Sequence, residues 1–281
     1  GERAMGDQAN GRSPRGAREG EGLASLLARL LASGDQETIW RLTCEHLRGL
    51  GFAHLLYGYS PDSRGPVLGS PEDYLVMSTL APSVIEELVL KSHFRQSMTF
   101  LWALGNTGIA KWSRSAVECG LPADFTPTPE SLDFFSRHDM MTGCCIGLSQ
   151  ERTRGRAVLA LIGPPAWSQA QVDALIDALE NEIFVVAGVM HRCLSNLPLR
   201  IERRSLTPRQ REVLEWVANG KTAADIALIM GISPPTVEKH LRLARETLGV
   251  ETTAHALIKA AFLNQVFVTF PATTPDAVPD A

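Results

Sequence analysis

Residues 234 to 248, PPTVEKHLRLARETL, put Glu238, Lys239, Arg242 and Arg245 on one side of a helix and Val237, Leu241, Ala244 and Leu248 on the other. Polar groups spaced in this way suit the reading of base edges. Arg and Lys pair with guanine acceptors in the major groove, and Glu accepts from cytosine. Near the helix start stand Lys221, Thr222, Ser233 and Thr236, hydroxyls and a cation beside backbone amides, a set suited to phosphate oxygens. A charged helix face alone is more often plain solvated surface, so the elements that hold it decide the reading.

Those elements are well specified. Thr207 is an N-cap, Pro208 takes the first helical position and Gln210 closes a capping box. Val213, Leu214 and Val217 form the apolar stripe of that first helix, which ends at Gly220. Thr222 with Asp225 opens a short second helix, Ala223 to Met230, and Gly231-Ile232-Ser233 makes the tight turn into the third, which stops at Gly249. Thr253 to Gln265 supplies a fourth helix whose Leu257, Ala260, Ala261 and Phe262 offer a surface for pairing two such heads. The whole is an all-α helix-turn-helix domain over 205–268, in which residues 234 to 248 are the recognition helix.

Charge is distributed to match. The 281-residue chain carries a net charge of -4, yet Arg200 to Gln265 holds ten Lys or Arg against seven Asp or Glu. The remainder of the chain is therefore acidic, and the basic groups sit where phosphates would lie.

The larger N-terminal part alternates helices and strands. Leu23 to Leu31 and Gln36 to Leu50 read as amphipathic helices, Phe52 to Tyr59 and Tyr74 to Ser78 as strands, and Pro82 to about Leu90 as a helix. Strands near Lys111 to Ser113, Cys144 to Ser149 and Arg156 to Ile162 surround a helix at Glu130 to Asp139, with a charged hairpin loop at Glu151 to Gly155. This order predicts an α+β domain over 23–193 built on an antiparallel sheet. Ser168 caps a long helix whose Val172, Leu175, Ile176, Leu179, Ile183, Val186, Ala187 and Met190 form one apolar seam, for its own sheet or for a dimer partner. Residues 194–204 read as a linker, 269–281 as a disordered tail, and 1–22 as a disordered arm or a remnant of expression.

The apolar run Ile183 to Met190 is too short to span a bilayer, and no secretion signal opens the chain, so a cytoplasmic location without a membrane partner is expected. The five cysteines have no C-x-x-C spacing, which fits a reducing compartment. Cys144 and Cys145, neighbours on a strand, should face opposite ways and so make a poor metal pair; no metal and no cofactor is expected.

Leu206-Thr-Pro-Arg-Gln-Arg-Glu-Val-Leu214, Asn219-Gly-Lys-Thr222, Ile226-Ala227, Gly231-Ile-Ser233, Thr236-Val237, His240-Leu241 and Leu248-Gly-Val250 together closely resemble the LuxR-type four-helix DNA-binding domain. Gln210 stands where that family commonly has Glu, a mild change because Gln also closes a capping box. The preceding region resembles the autoinducer-binding domain of quorum-sensing LuxR-type regulators, an α-β-α sandwich that binds N-acyl homoserine lactones. The resemblance implies double-stranded DNA with a pseudo-palindromic operator, a homodimer, RNA polymerase and a small apolar signal as partners.

It also implies a ligand site. Trp112-Ser113 and Gly143 fall where the family places a pocket Trp-Ser and a strand-starting Gly. The family's pocket Trp and Tyr fall at Val84 and Leu88, and its Asp-Pro at Ser97-Met98. That Asp carboxylate accepts a hydrogen bond from the signal's amide, an interaction worth about 1.5–3 kcal/mol. Its replacement implies an acyl-lactone-like ligand of altered, more apolar character, or a domain that folds without one. The expected ligand contacts are Tyr57, Leu80, Val84, Leu88, Ser97 and Trp112, with Tyr59, Tyr74 and Trp102 as further aromatic candidates.

Other functions fit less well. A phosphorylated receiver would need alternating βαβα units with a phosphoacceptor Asp, which the order of elements lacks. No G-x-S-x-G or H-E-x-x-H occurs and the seven histidines are scattered, so catalysis is not expected. The alternative retained is a protein-binding antiactivator that sequesters a partner regulator through its seam helix.

Overall fold

A computed structural model describes residues 15–61, 63, 68–69, 71–148, 155–198 and 204–266 of the chain. The expected tail, most of the charged loop, the middle of the linker and residues 1–14 of the arm lie outside the described residues.

The sheet is antiparallel throughout, in the order β2-β1-β5-β4-β3, from β1 (His54–Ser60), β2 (Leu75–Ser78), β3 (Thr107–Lys111), β4 (Gly143–Leu148) and β5 (Arg156–Ile162). Alternation along the central strands assigns their two faces. Leu55, Tyr57, Cys144, Ile146, Leu159 and Leu161 point to one side, where they pack with Leu30, Ile39, Leu47, Ile176 and Ile183. These last come from α1 (Arg15–Ala32), α2 (Gln36–Leu50) and α6 (Gln169–Asn196). Val158, Ala160 and Cys145 point to the other side, toward α3 (Pro82–Leu90), α4 (Met98–Gly105) and α5 (Pro129–Arg137). Cys144 and Cys145 thus lie on opposite faces, both buried. The result is an α-β-α sandwich.

Local signals explain most boundaries. Asp35 caps α2 by accepting from Thr38 N at 2.7 Å, and Ser168 with Gln171 forms a capping box at the head of α6. Six of the expected seam residues of α6 are buried, Val172, Ile176, Ile183, Val186, Ala187 and Met190. The helix departs from helical geometry at Leu179 (φ -127°, ψ 19°), so Leu175 and Leu179 are only half-buried.

Three expectations are corrected, and one element is new. α1 begins at Arg15, inside the stretch expected to stand apart. α6 runs on to Asn196, into the expected linker. β3 ends at Lys111, so Trp112 follows the strand instead of lying within it, although its N–H still bonds Gly143 O at 3.0 Å. α4 had no counterpart in the sequence reading. Its carbonyl ends press on β4 at Gly147, where an added Cβ would lie 1.9 Å from Asn106 O.

The C-terminal domain comprises α7 (Pro208–Ala218), α8 (Ala223–Met230), α9 (Pro234–Leu248) and α10 (Thr253–Phe262). Both capping boxes form, Thr207 with Gln210 and Thr222 with Asp225. Gly231 (φ 64°) and Gly249 (φ 64°) take the left-handed conformation that ends α8 and α9. Val213, Leu214, Ile226, Val237, Leu241 and Leu248 form the core.

Candidate nucleic-acid interface and ligand cavity

α9 lies across α7 and α8 with Val237, Leu241, Ala244 and Leu248 buried beneath it. Glu238, Lys239 and Arg242 are exposed on its outer face. Arg242 Nη1 meets Glu246 Oε1 at 2.7 Å, but with both side chains more than half exposed the pair is easily exchanged for a base or phosphate. Arg245 departs from expectation. One position beyond buried Ala244, it sits at the edge of the packed face, and its Nη1 donates to Thr253 Oγ1 at 3.0 Å.

The expected phosphate groups gather at the helix starts. Lys221 and Thr222 are exposed before α8, and Ser233 Oγ, the N-cap of α9, lies 2.8 Å from Thr236 Oγ1 in its first turn. Hydroxyls, not amides, dominate at α9, because Pro234 and Pro235 occupy its first two positions and have no N–H to offer. At α8 the Asp225 carboxylate accepts from Thr222 N at 2.9 Å and from Thr222 Oγ1 at 2.7 Å, which lowers the Asp225 pKa and keeps it ionised.

The second site is a cavity of about 290 Å³ between the sheet and α3, α4 and α5. Leu56, Gly58, Val158 and Ala160 form its floor on the sheet; Leu88 of α3, Phe100 and Leu104 of α4 and Phe135 of α5 form walls. Its volume and apolar lining with few polar groups are those of a small-molecule site. One polar cluster centres on Cys145, while Ser60 and Arg156 lie four residues along β1 and β5 from Leu56 and Ala160. Trp112 Nε1 donates to Cys145 Sγ at 3.4 Å and Thr99 Oγ1 donates to the same sulfur at 3.4 Å. Burial holds the Cys145 thiol above its usual pKa, so the sulfur is a neutral acceptor. Ser97 Oγ accepts from Phe100 N at 3.3 Å, capping α4.

Of the expected ligand contacts, Leu88, Ser97 and Trp112 line the cavity. Leu80 and Val84 are not among its lining residues; they belong to the apolar cluster that includes Phe134 and Trp112. Tyr57 is on the wrong face. Strand alternation sends it toward α6, where its hydroxyl meets His191 Nδ1 at 2.8 Å. Of the further aromatic candidates, Tyr59 and Tyr74 line the cavity, while Trp102 lies under Arg114, 4.5 Å from guanidinium to ring. Thr99, Cys145 and Arg156 are cavity residues that the sequence reading missed. The one usable signal was Ser97 as an N-cap, since Thr99 follows within its first turn.

Comparison with known families fixes the larger frame. A profile described as "Autoinducer binding domain" matches residues 35–194, more than half of the chain. The chain belongs to the autoinducer-binding-domain family. A second profile, "Bacterial regulatory proteins, luxR family", matches residues 204–260, so this member joins the sensory fold to a LuxR-type helix-turn-helix.

Among curated relatives, the HTH-type quorum sensing-dependent transcriptional regulator RpaR of Rhodopseudomonas palustris is 34% identical over 128 residues, 45% of this chain and 49% of that protein. The transcriptional activator protein EsaR of Pantoea stewartii is 29% identical over 120 residues, 43% of this chain and 47% of that one. The chain thus spans about half the length of these curated relatives in the matched regions. The crystal structure of Escherichia coli SdiA superposes with a TM-score of 0.52 at 16% identity, covering 88% of this chain and 98% of that one, and so shares the fold of this family member. No helix among the described residues is long and apolar enough to cross a membrane.

Proposed function

We propose that the chain is a sequence-specific DNA-binding regulator of transcription, working as a homodimer, whose helix-turn-helix is governed by a small, largely apolar signal held in the cavity. The observation that carries this reading is the outer face of α9. Glu238, Lys239 and Arg242 stand exposed on a rod whose opposite face is buried in a domain of the LuxR type. Such a rod fits the major groove, while Lys221, Thr222, Ser233 and Thr236 flank it at phosphate height.

Pairing of two heads is supported by α10, where Ala254, Ile258 and Ala261 form an exposed stripe and Ile258 is 52% accessible. Ala260, expected on that surface, is buried inward. Two heads related by a two-fold axis would read a pseudo-palindrome with half-sites about one helical turn apart. Regulation of this kind acts in the cytoplasm through RNA polymerase at the neighbouring promoter.

Selection from a random duplex pool by the intact chain, with and without an apolar extract of cells, tests the reading. The expected result is enrichment of a pseudo-palindromic site that changes in strength with the extract. Failure of any duplex to enrich would favour the protein-binding antiactivator instead.

A further inference from the structure

Only two of the cavity's described lining residues are exposed, and both are large and apolar: Leu132, 45% accessible, and Met141, 56% accessible. Leu132 is on α5, and Met141 is in the turn between α5 and β4. A side chain that both lines a cavity and meets solvent marks where the wall is open. Single exposed apolar side chains are common on any protein surface. These two, however, border a chamber that is itself apolar, so the hydrocarbon surface continues from the interior to the outside.

The rotation of α5 explains why the opening lies there. Ser131 and Phe134 are buried, which fixes the inner side of the helix. At about 100° per residue, Glu130, Asp133 and Arg137 then fall on one flank, and Leu132 and Phe135 on the other. The charged flank is tied to α3 and its C-cap: Lys91 Nζ is 3.2 Å from Glu130 Oε1, and Arg137 Nη2 is 3.6 Å from Glu87 Oε1. A hydrocarbon chain leaving on that side would press against charged groups and strip them of water. On the flank of Leu132 and Phe135 it meets apolar carbon.

We infer that the ligand carries an apolar chain longer than the chamber, and that the end of this chain leaves past Leu132 and Met141 and covers them. The inference rests on the proposed reading of the cavity as the signal site. It goes further by making Leu132 and Met141 the residues that set chain-length preference. A chamber closed at this point would reject a chain too long to fit, whereas an open one continues to gain as the chain grows. A fully buried methylene strengthens binding about fourfold, and one half covered at the rim about twofold.

Calorimetric titration of the intact chain with N-acyl homoserine lactones from hexanoyl to tetradecanoyl, each below its micelle-forming concentration, tests this. Affinity should rise along the series without a maximum, by at least about tenfold from decanoyl to tetradecanoyl. The double variant Leu132→Gln/Met141→Gln should cut that gain to about threefold or less, because its rim no longer offers hydrocarbon to the chain. Leu132→Met, which keeps the rim apolar, should retain the gain. Both positions are exposed, so the melting temperatures of all variants should stay within a few degrees of the parent. Tetradecanoyl binding no tighter than decanoyl in the unaltered chain overturns the open chamber while leaving the signal site standing. Equal weakening of every chain length by the double variant also overturns it, since loss of the rim must fall on the long chains. Binding of no member of the series overturns both this inference and the signal-site reading.

Discussion

Asp73 Oδ2 lies 2.9 Å from Lys259 Nζ, joining a turn of the sensory domain to α10 of the helix-turn-helix domain. The same carboxylate reaches a second cation: Asp73 Oδ1 is 3.2 Å from Arg204 Nε, an ion contact without hydrogen-bond geometry. Glu72 Oε2 completes the cluster at 2.6 Å from Arg204 Nη2. The Asp73, Arg204 and Lys259 side chains are only 10 to 14% accessible, so this is not a loose surface pair. Tyr74, the next residue, lines the cavity.

Asp73→Asn removes the charge that two poorly solvated cations share. Breaking a buried pair from one side costs about 3–5 kcal/mol, and the residual accessibility here places the expected cost below that. The domains should separate more readily, and trypsin should cut between Leu197 and Leu206 several-fold faster than in the unaltered chain. An unchanged rate of cleavage would show that the clasp does not hold the domains together.

Acid should weaken the fold through His191. Burial, with a smaller contribution from neighbouring Arg192, pulls its pKa down from 6.5 to about 4. Burial also raises Tyr57 well above its ordinary value, so the phenol keeps its proton beside the neutral ring, its hydroxyl 2.8 Å from Nδ1. As pH falls through 6.5 the unfolded chain takes up a proton at His191, while the folded chain refuses it until about 4. This contribution is fully present above the unfolded value and is lost across that window, up to about 3 kcal/mol at roughly 1.4 kcal/mol per unit. His191→Gln retains an acceptor for Tyr57 but cannot titrate. Urea denaturation should show a shallower loss of stability for that variant between these two pH values; parallel curves would remove His191 as the cause.

Gly147→Ala should be among the most damaging small substitutions. Its new Cβ would come within 1.9 Å of Asn106 O and 2.7 Å of Ala103 O, both backbone atoms that cannot swing aside. Overpacking typically costs about 1–3 kcal/mol and more where backbone must move. Thermal denaturation should show a drop of many degrees, together with loss of binding in the adjoining cavity. A melting temperature within a degree of the parent would mean that α4 does not press on β4 in this way.

At the interface, Arg242→Ala and Lys221→Ala should fail differently. Loss of Arg242 should cost about 1–3 kcal/mol at the preferred duplex and relax its base preference, whereas loss of Lys221 should weaken all duplexes alike. Binding titrations of both variants against preferred and altered sites would show this. Identical behaviour would count against groove reading by α9.

Much of this architecture was legible where the chain punctuates itself. Thr222, Asp225 and Gly231 gave α8 its limits to the residue, and Thr207, Pro208 and Gln210 did the same for the start of α7. Capping is local chemistry and needs no knowledge of the fold. α4 was invisible for the opposite reason. Met98–Gly105 is short and almost wholly apolar, so it has no polar face to set a period. Period-two alternation in β1 showed that Leu56 and Tyr57 face opposite ways, but not which side holds the cavity; that depends on which helices cover each face. Thr99 and Cys145 meet only because α4 packs on β4, a contact between residues 46 apart in sequence. The clasp at Asp73 joins still more distant segments, and no local pattern marks it.

The most direct test of the central claim is competition for the intact chain between a selected duplex and the same bases in scrambled order, at physiological salt. If α9 reads base edges, the selected duplex should compete at least about a thousandfold more effectively. Equal competition by the two, from a chain whose helical content is intact, would contradict sequence-specific recognition.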